Sequence, residues 1–319
     1  MKGVFKGCYL LQGSEPTLGW QTASHKTSMS SPATVIVVTG SSRGYGRSLA
    51  CEFARSFSGV KDLHVVLISR GEKGLKETHG LVERAAPGVA VHVVPMDLGA
   101  LDTLAATWDE KVMGGALKGV PWARGILINN AGSPGPISYV RDLGLESPTG
   151  VSALRATLDL DIASPILLSS LFLKALHKGG APASPPSVVV NVSSLAAVAP
   201  FASLGLYSIT RAAKDMLHRV IGEEGQGAVL TLNYAPGPMD SELQVEIRNP
   251  PDTHGPTKAF FKDMEAKNTW VDKDVSAALC AKLVSEGSFK DGEHLDYYDV
   301  SAAAAAAATA AGGGDGAKQ

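Results

Sequence analysis

The chain has 319 residues, 45% of them hydrophobic and 19% charged, and its formal net charge is −2. That balance is ordinary for a globular protein and leaves no basic excess for nucleic acid or an anionic membrane. No uninterrupted apolar run reaches the ~18 residues of a membrane span. Cys8, Cys51 and Cys280 lack both metal-ligand and disulfide-framework spacing. A reducing, cytoplasmic setting without a metal is expected.

Residues 1–33 show no sustained periodicity and are read as a disordered extension. Lys2, Lys6 and Lys26 against Glu15, among several Ser and Thr, loosely match a transit peptide, so organelle targeting by residues 1–28 is the alternative location. Met29, just ahead of the first strand, is an alternative start.

The first strand, Thr34–Thr39, runs into Thr39-Gly40-Ser41-Ser42-Arg43-Gly44-Tyr45-Gly46 and a helix over 45–57. Glycines between a strand and a helix let backbone amides approach a pyrophosphate at the helix N-terminus. The second strand, His64–Ser69, ends in Ser69-Arg70-Gly71. An acid at that position would bind the ribose 2′-hydroxyl of NAD. Arg70, assisted by Arg43, suits the 2′-phosphate of NADP(H) instead. A helix over 72–85 and the strand Val91–Pro95 lead to Asp97-Leu98, and a helix over 101–113 leads to the strand Gly125–Asn129. Asn129-Asn130-Ala131-Gly132 follows at once.

A long helix over 151–177 carries Asp161, and the strand Val188–Val192 leads to Ser194. Tyr207 opens the helix over 207–224, and Arg211 lies one turn further on the same face. A tyrosine hydroxyl can protonate the oxygen of a carbonyl under reduction, but near neutral pH a phenol needs a neighbouring cation. Ser194 can hold the same oxygen. Lys214, two turns from Tyr207, is expected on the surface. After the strand Val229–Asn233, Pro250, Pro251 and Pro256 argue against one long helix over 238–272, which is read as an irregular substrate lid. A short strand, His294–Tyr298, closes one edge, and residues 300–319 are a low-complexity tail.

Val- and Ile-rich strands alternating with helices predict a single α/β domain over 34–299, a doubly wound parallel sheet with helices on both faces. The T-G-x-x-x-G-x-G loop, the N-N-A-G run and the Ser194/Tyr207 pair resemble the short-chain dehydrogenase/reductase family. That resemblance implies an NADPH-dependent oxidoreductase. It implies that Gly40, Ser41, Ser42, Arg43, Gly44, Tyr45, Gly46, Arg70, Asp97, Leu98, Asn130, Ala131, Gly132 and Arg211 hold the cofactor. Met239, Asp240, Ser241 and Gln244 would cover its nicotinamide side. The chain departs from the family twice: Arg211 stands where a lysine is usual, and Asp161 where an asparagine is usual. The changes have opposite charge, so the two residues are expected to compensate each other and to complete a catalytic set with Ser194 and Tyr207.

Within the family, Asn191–Leu195, Leu232–Asp240 and Gly292–Asp299 are similar to pterin-reducing members. This implies a small carbonyl substrate, a pterin anchored by Asp296, with Ser194, Leu195, Tyr207 and Gly237 around it. A homodimer paired through the two long helices is implied as well. Two alternatives stay open: a reductase of small ketones or diketones, and an NADP(H)-binding protein with little catalysis because of Arg211 and Asp161.

Overall fold

The computed structural model describes residues 32–178 and 184–312, so the expectations for residues 1–31 and 313–319 lie outside it. Among the described residues there are seven strands: β1 (Ala33–Thr39), β2 (Leu63–Ser69), β3 (Ala90–Pro95), β4 (Trp122–Asn129), β5 (Ser187–Val192), β6 (Val229–Ala235) and β7 (Glu293–Asp296). They form one parallel sheet in the order β3-β2-β1-β4-β5-β6-β7. The chain reverses its direction of travel across the sheet between β1 and β4, and the crevice beyond those strand ends is where such sheets bind ligands. β7 is the edge strand the sequence suggests, although Tyr297 already begins a helix.

The side chains of β1 alternate between two cores. Ile36 and Val38 pack with Leu49 and Phe53 of α1 (Gly44–Ser56), Leu75 and Val82 of α2 (Glu72–Ala85), and Cys280 and Val284 of a helix over 273–286. Val35 and Val37 pack with Leu104 of α3 (Leu101–Thr107), Trp108 just beyond it, and Leu168 and Phe172 on the opposite face. Each fully buried Leu, Ile or Phe contributes roughly 1.5–3 kcal/mol, so burial on both faces fixes the sheet.

The long helix is three segments: α4 (Pro148–Leu158), a π-helical turn (Asp159–Ala163) and α5 (Ser164–Lys178). Ser147 caps it by accepting the Gly150 N–H, and Pro148 takes the first turn, where no N–H is needed. The segment Pro148–His177 is long and apolar enough to cross a membrane, with mean hydropathy 1.5. Leu168 and Phe172 nevertheless lie in the core against the sheet.

Two expectations need correction. The region after β6 is more ordered than its prolines suggest. Beyond α6 (Gly205–Gly225), it forms α7 (Glu242–Arg248), α8 (Gly255–Lys267) and α9 (Lys273–Glu286). Pro250 and Pro251 fall between α7 and α8, and Pro256 sits in the first turn of α8. The alanine-rich tail is also helical, as α10 (Tyr297–Gly312). Alanine has the highest helix propensity, and Asp296 caps the start by accepting the Tyr298 N–H at 2.9 Å.

Candidate active site

One cavity of about 1380 Å³ opens at the C-terminal ends of β1, β2, β4, β5 and β6. Its first wall is the glycine loop. Thr39 Oγ1 accepts the N–H groups of Asn130 and Ala131, each at 3.0 Å, and donates to Ile128 O. Asn130 Nδ2 returns a bond to Thr39 O at 2.9 Å. The turns after β1 and β4 are thus locked side by side. Gly46 has no room for a side chain, since a Cβ there would lie 2.2 Å from Gly40 O. Arg47 fastens the loop to α2 through Ser42 O, Thr78 Oγ1 and Glu77.

At the far end of this wall lie Arg43, Arg70, Asp97 and Leu98. Arg43 is largely exposed, 3.8 Å from Glu242 of α7 across the cleft. Gly40, Ser42, Gly44, Gly46, Asn130, Ala131 and Gly132 also line the cavity, as do Met239, Ser241 and Gln244 on the opposite side. Ser241 additionally caps α7 by accepting the Gln244 N–H. Two assignments change, and a third gains a detail. Ser41 is fully buried, and its hydroxyl donates to Ile68 O rather than entering the cavity. Asp240 pairs with Arg248 at 3.3 Å and does not line the cavity. Tyr45 lines the cavity, but its hydroxyl is bonded to Ser276 at 3.3 Å beneath the loop.

Ser194, Leu195, Tyr207, Gly237 and Asp296 meet at the other end of the same cavity. Ser194 ends the turn after β5, where its Oγ accepts the Ala196 N–H at 3.2 Å. Tyr207 lies in the first turn of α6 and packs in a small cluster with Ile247, Phe261 and Met264 of the lid helices. Gly237 has φ +77°, and a Cβ would lie 2.8 Å from Val271 Cγ2. Close packing of the lid therefore requires this glycine, not only approach of a ligand. Phe260, Phe261, Arg155, Tyr298 and Asp299 also line this end and were not anticipated. Their signal is weak in the sequence because they come from separate helices brought together only by the fold.

Arg211 and Asp161 form a buried ion pair at 3.2 Å, with side chains 4% and 0% exposed. The π-helical turn carries Asp161 inward, and its two oxygens accept the Ser133 N–H. Asp161 itself is not on the cavity wall; its contact with the site is through Arg211. The guanidinium carbon lies 4.7 Å from the centre of the Tyr207 ring. Burial opposes the Arg211 charge, but the Tyr207 phenol and Asp161 outweigh it and hold the pKa above its ordinary value. Burial pushes the Asp161 carboxyl up, against the pull of Arg211, Lys214 and the Ser133 amide. Gly132 makes the arrangement possible, because a Cβ there would lie 2.6 Å from Asp161 Oδ1 and 2.7 Å from Arg211 Nη2. Lys214 is not on the surface: it is 1% exposed behind this pair. The second turn beyond Tyr207 faces inward because α6 presents the same side to the sheet throughout.

A dinucleotide suits this wall. The crowded backbone at Gly46 leaves the loop amides close to the cavity, and Arg43 and Arg70 offer cations at one end. Arg211 and Gln244 line the cavity, and Arg211 Nε and Gln244 Oε1 are buried without a protein partner.

Comparison with known proteins agrees with this geometry. The family model for short chain dehydrogenases matches residues 34–252. Sepiapterin reductase of Xenopus tropicalis is 36% identical over 269 residues, covering 82% of this chain and 95% of the relative. The Bos taurus sepiapterin reductase is 33% identical over 272 residues, covering 83% and 95%. Among solved structures, a short chain dehydrogenase/reductase from Saccharomyces cerevisiae superposes with a TM-score of 0.64 at 25% identity, covering 84% of this chain and 96% of that one.

Proposed function

Because the chain belongs to the short chain dehydrogenase family, we propose that it uses NADPH to reduce the side-chain ketone of a pterin, in a tetrahydrobiopterin-type biosynthesis. Membership makes it an oxidoreductase acting on carbonyl or hydroxyl groups. The observation that carries the finer reading is that Ser194, Tyr207 and Asp296 share one cavity with the glycine loop.

In this reading, Arg43 and Arg70 pair with the cofactor's 2′-phosphate, and the loop amides hold its pyrophosphate. When bound, the cofactor supplies the hydride that the carbonyl carbon accepts. Ser194 donates a hydrogen bond to the carbonyl oxygen and holds it in place. The Tyr207 hydroxyl gives that oxygen its proton. Arg211, over the phenol ring, provides a countercharge to the oxygen anion left behind, and Asp161 holds Arg211 there. At the far end, the Asp296 carboxylate accepts adjacent N–H groups from the 2-amino-4-oxo edge of the pterin with the lone pairs that capping α10 leaves over.

The test compares sepiapterin with a small diketone, each with NADPH, in wild type and Asp296→Ala. The variant is expected to lose roughly 10–150-fold in kcat/KM on sepiapterin, as charged hydrogen bonds of ~1.5–3 kcal/mol imply, while its diketone turnover stays unchanged. Equal effects on both substrates would support a general carbonyl reductase instead. The proposal includes a homodimer. Ile166 of α5 and Ile209, Met216 and Val220 of α6 are exposed apolar residues on the two long helices.

A further inference from the structure

Residues Tyr207, Arg211, Lys214, Asp215 and His218 recur at helical spacing along the buried side of α6. The mechanism above uses the first two and leaves Lys214 idle. Its ammonium has three donors, yet its Nζ makes a single long bond, 3.4 Å to Asn129 O. Asn129 ends β4, directly before the turn that lines the cofactor side. Arg211 lies one turn back on the same helix and repels the ammonium, whereas Asp161 and Asp215 attract it. His218 adds no charge from the next turn. Its Nδ1–H donates to Lys214 O at 2.7 Å and its Nε2 accepts from Asn129 Nδ2 at 3.1 Å, which is the neutral tautomer. Asp215 is otherwise engaged, by Asn191, Ser193 and His294.

Two basic side chains therefore lie on the same buried side of α6 as Tyr207, and they differ in kind. A guanidinium keeps its proton at every physiological pH. A buried amine with one long acceptor does not. We propose that Lys214 is a positioning residue for carbonyl reduction: by gaining or losing its proton it sets the net charge of the Arg211–Asp161–Lys214 cluster and so how well that cluster stabilises the anion left on Tyr207. With the ammonium charged, the three side chains sum to one positive charge; with the neutral amine, the pair is balanced and its field on the phenol oxygen weakens. Burial, followed by the nearby guanidinium, lowers the Lys214 pKa to about 7.

This inference rests on the proposed reductase activity, and its test is built to separate the two. The pH profile of kcat/KM for ketone reduction is measured with saturating NADPH from pH 5.5 to 9. Wild type is expected to fall about tenfold from an acid-side plateau to a lower one as pH rises through neutrality. Lys214→Gln, which keeps a donor for Asn129 O, and Lys214→Met are both expected to sit near the lower plateau across the range with no such step. Lys214→Arg, permanently charged, is expected to stay near the upper plateau. A purely structural lysine would change yield or Tm but leave the step where it was. Wild-type turnover without the step, or a step that survives in Lys214→Gln, overturns the inference and leaves the reductase standing. If every variant fails to fold, the wild-type profile still decides, because an unstepped profile is fatal on its own. Absence of ketone turnover at every pH strikes the proposed function, and this inference falls with it.

Discussion

At the glycine-loop end, the cavity wall is held by backbone and short side chains: Thr39 bridges two turns, Asn130 bonds back to Thr39 O, and Gly46 lies against Gly40 O. Behind Tyr207, the wall is held by charge: Arg211 pairs with Asp161, and Lys214 is buried beside them. Both ends tolerate little change, for different reasons. In the loop, an added atom collides with backbone that cannot move. Around Arg211, loss of one charge leaves another uncompensated in a medium that solvates it poorly. The first end is suited to recognising a ligand common to many enzymes, and the second to tuning one reaction.

The largest expected effect separates the two ends cleanly. Tyr207→Phe should lower kcat by about 10²–10⁴-fold, the usual span for a general acid, while the NADPH dissociation constant from fluorescence titration stays within a few-fold of wild type. A parallel loss of cofactor affinity would mean that the phenol contributes to binding, and the division between the ends would blur.

Gly132→Ala tests the seam where the two walls touch. Its methyl would press on Asp161 Oδ1 and Arg211 Nη2. A cost of roughly 1–3 kcal/mol in stability is expected from overpacking, read by chemical denaturation, together with reduced turnover. A fully stable and active variant would show that the ion pair can shift without consequence.

A smaller effect tests compensation within the charged end. Asp161→Asn removes the anion of the pair, Arg211→Lys keeps the cation but changes its reach and shape, and the double variant restores the family pattern. Coupling of roughly 0.5–3 kcal/mol is expected in the cycle of log kcat/KM values, as for residues in one buried network. Simple additivity would mean that the two departures from the family pattern are unrelated.

The contrast between the ends also accounts for what could be read in the sequence. The loop and the N-N-A-G turn are legible because their demands are local: a glycine where two backbones meet, and a threonine where two turns need an acceptor. The strands themselves are legible from their Val- and Ile-rich runs. The pairing of Arg211 with Asp161 was readable as two compensating oddities, but the π-helical turn that brings Asp161 inward left no mark in the apolar pattern. Lys214 was misread because a lysine at that spacing is usually solvated, and only the packing of α6 against the sheet shows otherwise. The lid helices were hidden by prolines that turn out to separate them, and α10 by an alanine run whose composition resembles a tail.

The last effect is read in stability alone and belongs to the charged end. Burial lowers the His218 pKa to about 4, and the hydrogen bonds explain why the neutral form persists: a proton on Nε2 would point at the Asn129 amide donor. In the unfolded chain the ring titrates near its ordinary value of 6.5. Between those values the unfolded state binds more protons than the folded one, so stability falls as pH drops from about 6.5 toward 4. Above that window His218 is neutral in both states and contributes no slope. Denaturation midpoints taken across the window should decline more steeply in wild type than in His218→Gln, whose amide cannot acquire the charge. The glycine-loop end has no counterpart to this acid sensitivity among its Thr39, Asn130 and Gly46 contacts, so equal slopes in the two proteins would remove one of the physical differences between the two ends.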